Sequence, residues 1–405
     1  MTLRKLLPVL LFSLSLSLFA EEPATKVKFY GFVGNEFYYN SRQNEESTDG
    51  IMHLFPKPVS LDANNNDINA VPVAELLSVS TRLGIDLTGA TIFGAKSSGK
   101  IECDFSGTGS TYYLLRIRQS YFKLNWNNTE LLLGQTWHPM YGNVYPTTLS
   151  QNMGAPFQPY NRSPQLRLKQ DITPSISLTA AAIYQMQYTS QGSSGKSNIY
   201  QKKAMIPDLF LGFEDKNGNL TFGAGIDVKT IKPSGSLTSL SKIVYLQYAD
   251  NKLQIKAKTT YGQNLNDLQM VCGYGVSEVN NLTNDTSYTN FNISSTWLNV
   301  VYGTKWQFSI LGGISKNFGT SDYLYKTLSG KFIAYGYGVN NNTQSLLDRL
   351  YRITPEVSYN LPDIRIGLEY DFTSALYGTM NQDGNIKSPY SVNNHRLIAS
   401  IRYFF

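Results

Sequence analysis

The sequence predicts an all-β, 16-stranded antiparallel transmembrane β-barrel with short periplasmic turns, long extracellular loops and an infolded third loop. Three observations predict it: segments that alternate with a strict period of two, connections sorted into short and long, and a composition of aromatic and turn-forming residues. A period of two describes a strand whose two faces meet different surroundings. NNHRLIASIRYFF places Leu397, Ala399, Ile401, Tyr403 and Phe405 on one side and Arg396, Ser400 and Arg402 on the other. LLSVSTRLGIDLTGA sets Leu77, Val79, Leu83, Ile85 and Leu87 against Ser78, Ser80, Arg82 and Asp86. NLTFGAGIDVKT, KLQIKAKTTYG and IRIGLEYDF repeat the pattern, with Asp227, Lys229, Lys256, Lys258, Arg365 and Glu369 on their polar faces.

The connections supply the strand count. Short ones fall at 89–95, 126–130, 171–174, 215–219, 249–252, 303–305 and 360–363. Long ones fall at 40–75, 138–164, 189–206, 264–287, 319–347 and 376–392, with shorter members near 107–112 and 231–237. Seven short turns alternating with eight longer loops require sixteen strands, which is the plan of an outer-membrane barrel. A soluble sandwich has no reason to sort its connections this way. In lipid every backbone N–H and C=O must be paired internally, so a sheet spans only by closing on itself. Aromatics near the expected strand ends (Tyr38, Tyr39, Trp126, Trp137, Tyr188, Trp306, Tyr359 and Tyr403) mark interfacial girdles.

The chain holds 28 Tyr, 20 Phe and 32 Gly but only two Cys, a usage of strands and turns rather than helices. Its first stretch, MTLRKLLPVLLFSLSLSLFA, joins Arg4 and Lys5 to a short apolar run that ends at Ala20. Residues 1–20 read as a secretory signal peptide, which leaves 21–405 as the barrel. The apolar run is short for a membrane anchor. Without Arg4 and Lys5 the formal charge falls from +6 to about +4, and no basic cluster marks a nucleic-acid face. Cys103 and Cys272 lie too far apart in sequence to indicate a disulfide framework.

Sixteen strands enclose more space than side chains fill, so a water-filled lumen is expected. Among the side chains that the alternation points inward, basic ones outnumber acidic ones, and Arg82, Arg116, Arg118, Arg167, Lys169, Arg365 and Arg396 are candidate pore residues. A low-dielectric wall focuses the field of such an excess and concentrates anions. From Leu131 to Gln170 the chain has no Asp or Glu, yet carries Arg162, Arg167 and Lys169. The loop within that stretch is stiffened by Pro139, Pro146, Pro156, Pro159 and Pro164. It also holds His138, Met140, Tyr141, Tyr145, Phe157 and Tyr160, an apolar load that favours folding back into the lumen. The alternative is packing at a subunit interface. A constriction lined by Arg116, Arg118 and Arg162 would favour carboxylates or phosphates.

GQTWHPMYGN followed by GAPFQPYNRSPQLRL, after LRIRQSYFKL, resembles the DcaP-like trimeric outer-membrane porins, especially those of Bacteroidota. The likeness is densest from Leu77 to about Asp171 and is architectural beyond. It implies a homotrimer in the outer-membrane bilayer that passes small anionic solutes such as dicarboxylates, with Arg116, Arg118, Arg162 and Arg167 in the pore. Some relatives carry an N-terminal coiled coil. Here the first strand begins near Lys26, so trimer contacts are expected from the barrel wall. Tyr403 and Phe405 on the closing strand resemble the signal read by the barrel-insertion machinery.

Other functional classes leave weaker marks. His53, His138 and His395 read as solvated loop residues, and the pairing of His395 with Ser391 or Ser400 is not selected by spacing. No catalytic group, metal site or cofactor is expected, and no group of His, Cys, Asp and Glu has metal-ligand spacing. An adhesin or receptor barrel that binds through its long outer loops remains the main alternative, a barrel hydrolase a lesser one, and a hydrophobic-solute channel would need an N-terminal apolar plug. Conductance separates a porin from a closed adhesin barrel.

Overall fold

The computed structural model describes residues 25–48, 51–107, 114–280, 282–283 and 285–405. The expected signal peptide and most of the connection near 107–112 lie outside them. Among the described residues, sixteen long strands pair antiparallel into a closed barrel. The first eight are β1 Lys26–Asn40, β2 Arg82–Ile92, β3 Ala95–Gly107, β4 Leu114–Asn125, β5 Thr129–Trp137, β6 Arg162–Asp171, β7 Ile176–Ile183 and β8 Asp208–Asn217. The second eight are β9 Leu220–Ile231, β10 Leu237–Ala249, β11 Leu253–Gln263, β12 Thr286–Gly303, β13 Trp306–Thr320, β14 Ser345–Asn360, β15 Ile364–Met380 and β16 Ile386–Phe404. Closure is a direct seam in which Phe32 lies opposite Phe404 and Asn40 opposite Arg396. Gly31 and Phe405 exchange both backbone hydrogen bonds, at 3.1 and 3.2 Å.

The alternation sorts the side chains as the sequence implies. Leu211, Ile226, Leu246, Ile310, Leu368 and Ile401 face outward and are exposed, whereas Asp227, Lys258, Glu369 and Arg396 face the lumen and are buried. Burying apolar surface is worth about 25 cal/mol per Å², so a belt of this kind is stable only against an apolar medium. The seven short turns fall where expected. The β2–β3 turn, for example, is Phe93–Gly94, with φ of 51° and 75°, the left-handed pair that a tight hairpin requires.

Four expectations are corrected. The stretch 376–392 is not a long loop: β15 and β16 remain paired through it and are joined by only residues 381–385. Leu77 and Val79 are buried, because the separate segment Val73–Leu77 runs in opposite phase to β2 and exposes Leu76 instead. Tyr38 and Tyr188 are buried and Trp137 packs with the core, so these three belong to the lumen, not to a girdle. Trp126, Trp306, Tyr359 and Tyr403 do form a ring at the short-turn end, where Trp306 and Tyr359 pack at 4.7 Å. His53 and His138 are buried rather than solvated.

Loop 3, residues 138–161, folds into the lumen and crosses to the wall made by β11–β16. Phe157 is fully buried against Gly313, where a Cβ would lie 2.7 Å from its ring. Leu149 seats on Gly367 in the same way. A glycine within a strand marks such a close approach. Loop 1 also turns inward, which the sequence reading missed. Its segment His53–Pro56 is buried on loop 3, with Asn152 Nδ2 donating to the His53 carbonyl at 2.9 Å. The short 3₁₀ turn Asn266–Leu268 of loop 6 completes the packing: the Tyr160 N–H donates to the Leu268 carbonyl at 2.8 Å.

Candidate functional site

The lumen is divided unevenly. Against β11–β16, loop 3 is held by cations that end on its polar groups. Lys258 donates to the Tyr141 carbonyl, Arg352 to the Ala155 carbonyl at 2.9 Å, Lys256 to Thr147 Oγ1 at 2.9 Å and Arg402 to the Leu149 carbonyl at 2.8 Å. Arg352 also reaches the Leu54 carbonyl of loop 1. Loop 3 brings no carboxylate, so these cations satisfy its main-chain carbonyls and hydroxyls instead.

Open space lies on the opposite side. A cavity of about 590 Å³ at the short-turn end is lined by Arg82, Arg118, Trp137, Tyr145, Arg167 and Lys169, among others. A second, of about 430 Å³, lies at the loop end, with Arg116 and Tyr188 in its wall. Arg116 and Arg118 are two residues apart on β4, so the partition between the cavities is the cluster to which they belong.

That cluster is built by three adjacent strands and the start of a fourth. Arg116 chelates Asp104 with Nε at 2.9 Å and Nη2 at 2.7 Å. Arg118 bridges Glu102 at 2.8 Å and Asp104 at 2.9 Å. Arg82 Nε lies 3.8 Å from Glu102. Arg162 is fully buried and pairs with no carboxylate among the described residues; it donates to Gln187 Oε1 at 2.8 Å and to the hydroxyls of Tyr160 and Tyr188 at 3.3 Å. Its guanidinium lies 4.7 Å from the Trp137 ring centre, a cation–π contact that holds the charge without neutralising it. Three guanidiniums thus share two carboxylates while Arg162 is held by neutral groups, and of the four Arg82 and Arg118 line the short-turn cavity and Arg116 the loop-end one.

A β-bulge sets this geometry. Cys103 pairs with Ile117 and Glu102 with Gln119, which leaves Arg118 as the extra residue. Arg118 and Gln119 therefore both face the lumen, and the phase of β4 shifts beyond them. No alternation reading of LRIRQSYFKL shows this.

The remaining candidates scatter. Arg167 lines the short-turn cavity and its guanidinium forms no ion pair or hydrogen bond among the described residues, and Lys169 beside it lies 3.7 Å from Asp171. Arg365 sits apart on β15, paired with Glu356 at 2.5 Å. Arg396 donates to Ser150 Oγ of loop 3 at 3.1 Å. In loop 3, Trp137 stacks on Tyr141 at 4.0 Å and Tyr141 on Tyr145 at 5.2 Å, and only Tyr145 of this stack is exposed. Tyr160 stands edge-on to Trp137 at 5.0 Å, and Phe157 lies away from the passage. His138 Nδ1 accepts the Met140 N–H at 3.2 Å while its Nε2 lies 3.7 Å from Asp227. Tyr403 and Phe405 are exposed on the outer face. Sequence reasoning missed Glu102, Asp104, Tyr188 and Gln187 as members of the cluster. Glu102 and Asp104 alternate on one face of β3, the signal that should have paired them with Arg116 and Arg118.

No protein-family profile matches the chain, and no curated protein matches it. Solved structures do. The outer membrane channel DcaP of Acinetobacter baumannii is 19% identical, with a TM-score of 0.69 over 94% of this chain and 97% of that one. The trimer form of OmpT, an outer membrane protein of Vibrio cholerae, is 13% identical with a TM-score of 0.56 over 94% and 100%. The anion-selective porin from Comamonas acidovorans is 12% identical with a TM-score of 0.54 over the same shares. At these identities the likeness is one of fold, and the fold this chain shares with all three is the 16-stranded porin barrel.

Proposed function

We propose that the protein is a passive outer-membrane channel for small hydrophilic solutes and that it favours anions such as carboxylates. In this reading it is exported by its signal peptide, inserted through the signal at Tyr403 and Phe405, and assembled as a homotrimer akin to the Bacteroidota-type DcaP-like porins. The observation that carries it is the partition, where Arg82, Arg116, Arg118 and Arg162 gather around only two carboxylates, Glu102 and Asp104, and Arg162 pairs with neither. An excess of fixed positive charge in a narrow, low-dielectric passage lowers the energy of an anion there and raises that of a cation. Arg167 and Lys169 carry basic charge into the short-turn cavity, whose wall also includes Glu130 and Glu214. Trimeric and anion-selective neighbours of the same fold support the reading.

Two observations weigh against the alternatives. An adhesin presents its long loops outward, whereas loops 1, 3 and 6 turn back into the lumen. His395 bonds the outward-facing Tyr370 hydroxyl at 2.8 Å while Ser400 is buried on the lumen side, so the two do not form a hydrolase pair.

The test is the reversal potential of the refolded barrel in a planar bilayer under a KCl gradient. Anion-selective conductance is expected, and Arg116→Ser with Arg118→Ser should lower the anion-to-cation permeability ratio roughly threefold or more. Cation selectivity, or a ratio untouched by the double substitution, overturns the assignment. A folded barrel without conductance overturns the channel itself.

A further inference from the structure

We infer that the loop-end cavity is a preformed docking site for sugar acids, that is, polyhydroxylated monocarboxylates, placed ahead of the guanidinium partition. The inference builds on the proposed channel, because it names the solutes that reach the partition already oriented.

The central residue is Gln269. It follows the 3₁₀ turn of loop 6 with φ of 60°, a left-handed backbone that a non-glycine residue adopts only when its surroundings fix it. What fixes it is on its side chain: Oε1 accepts the Tyr337 hydroxyl at 2.7 Å and the Ser47 hydroxyl. Both contacts fall on Oε1, which leaves the amide N–H groups to other partners. Its Nε2 has no acceptor among the described residues, yet the residue is 2% exposed and belongs to the cavity wall. These N–H groups are therefore open to an acceptor that a solute brings into the cavity.

Cations stand at both ends of the same cavity. At the floor, Arg116 spends Nε and Nη2 on Asp104 and turns Nη1 towards the Tyr188 hydroxyl at 3.5 Å, a contact too long to satisfy it. At the rim, Lys196 Nζ lies 4.6 Å over the Tyr337 ring, beyond ion-pair distance of the Glu45 carboxyl on which its charge acts. No Asp or Glu is among the residues lining the cavity. Between the cations lie Thr48, Ser106, Thr189 and Asn198, groups that both donate and accept. Chloride or acetate would engage one cation and leave these groups to water. A neutral sugar would leave the cations unused. A six-carbon sugar acid is small enough for the cavity's 430 Å³ and offers a carboxylate to one cation and hydroxyls to the polar groups between them.

Isothermal calorimetry on the detergent-solubilised barrel tests this without requiring conduction, with D-glucuronate, acetate and glucose as probes. Glucuronate should bind about tenfold or more tightly than either of the others. Gln269→Leu should remove most of that advantage, and Lys196→Met, on an exposed hairpin where folding is not at stake, should remove part of it. Equal affinity for glucuronate and acetate, or full glucuronate affinity in both variants, overturns the inference. Glucuronate binding by a barrel that carries no current supports the site and overturns the channel reading. Anion-selective current with no glucuronate preference overturns the site and leaves the channel reading in place.

Discussion

On the β11–β16 side of the lumen, Lys256, Lys258, Arg352, Arg396 and Arg402 all point inward and end on loop 3. On the β2–β6 side, Arg82, Arg116, Arg118 and Arg162 also point inward, but end on two shared acids, aromatic rings and open cavity. The two walls use the same residue types in the same alternating pattern. Most of the cations that reach open cavity stand on the near wall, with Arg402 of the other wall also lining the short-turn cavity. An inward charge count therefore overstates the donors a solute can touch, because a cation that caps a buried carbonyl has its N–H groups committed although its charge remains.

The strongest attack on this contrast is to dislodge the loop. Gly313→Val places a branched side chain where Phe157 sits, an overpacking cost of about 1–3 kcal/mol. Loop 3 should leave the far wall, unitary conductance should rise, and selectivity should become that of both walls together. Unchanged conductance would mean that the loop does not set the passage.

A smaller effect sharpens the contrast. Lys258→Met removes one of the two donors on the Tyr141 carbonyl and leaves the Gln158 amide at 2.8 Å, at a cost of about 0.5–1.5 kcal/mol in a denaturant titration. The reversal potential should hardly move, because Lys258 serves the loop and not the solute. A selectivity change as large as that of the Arg116/Arg118 pair would erase the distinction between the walls.

The smallest effect concerns loop 1, part of which rests on the same far wall. Its outer half is clipped by Arg42 to Asp67 at 2.7 Å. Burial opposes ionisation of the Asp67 carboxyl, but the Ser60 and Asn69 N–H groups and the Arg42 guanidinium outweigh it and hold the carboxyl below its usual range. A depressed folded-state value means that the clip's contribution is complete at neutral pH and is lost as pH falls through that depressed value. Asp67→Asn should mimic the acid state at neutral pH, costing under about 1 kcal/mol and speeding proteolysis within 57–72. Equal cleavage rates would show that the clip holds nothing.

Much of the barrel was legible because its rules are local. Alternation at 220–229 and 364–372 gives the faces, and the seven tight turns give the strand count. The infolding of loop 3 was also legible, from a long loop rich in proline and aromatics without a single acid. The errors arose where the pattern depends on partners far away in sequence. The paired run across 376–392 looked like a loop because Asn, Ser and Gly are common in it, yet β15 and β16 each supply the other's ladder bonds. Loop 1 carries its buried segment, His53–Pro56, within a polar stretch, and only the shelf made by loop 3 gives Leu54 and Phe55 somewhere to pack. The role of Arg396 depended on where loop 3 lands, and Gly313 and Gly367 were local marks of that landing.

The bulge at Arg118 has a consequence for how this pore can be altered. Beyond it, β4 is read in the opposite frame, so Gln119 and Lys123 look inward and Phe122 looks outward. Removing one residue at this point would restore a single frame and exchange those faces over half of the strand, while adding a residue elsewhere would create a second exchange. Insertions and deletions, usually confined to loops, thus become a route by which a barrel wall can rewrite its lining in one step. The half of β4 on the loop side, with Arg116, would keep its place while the other half changed.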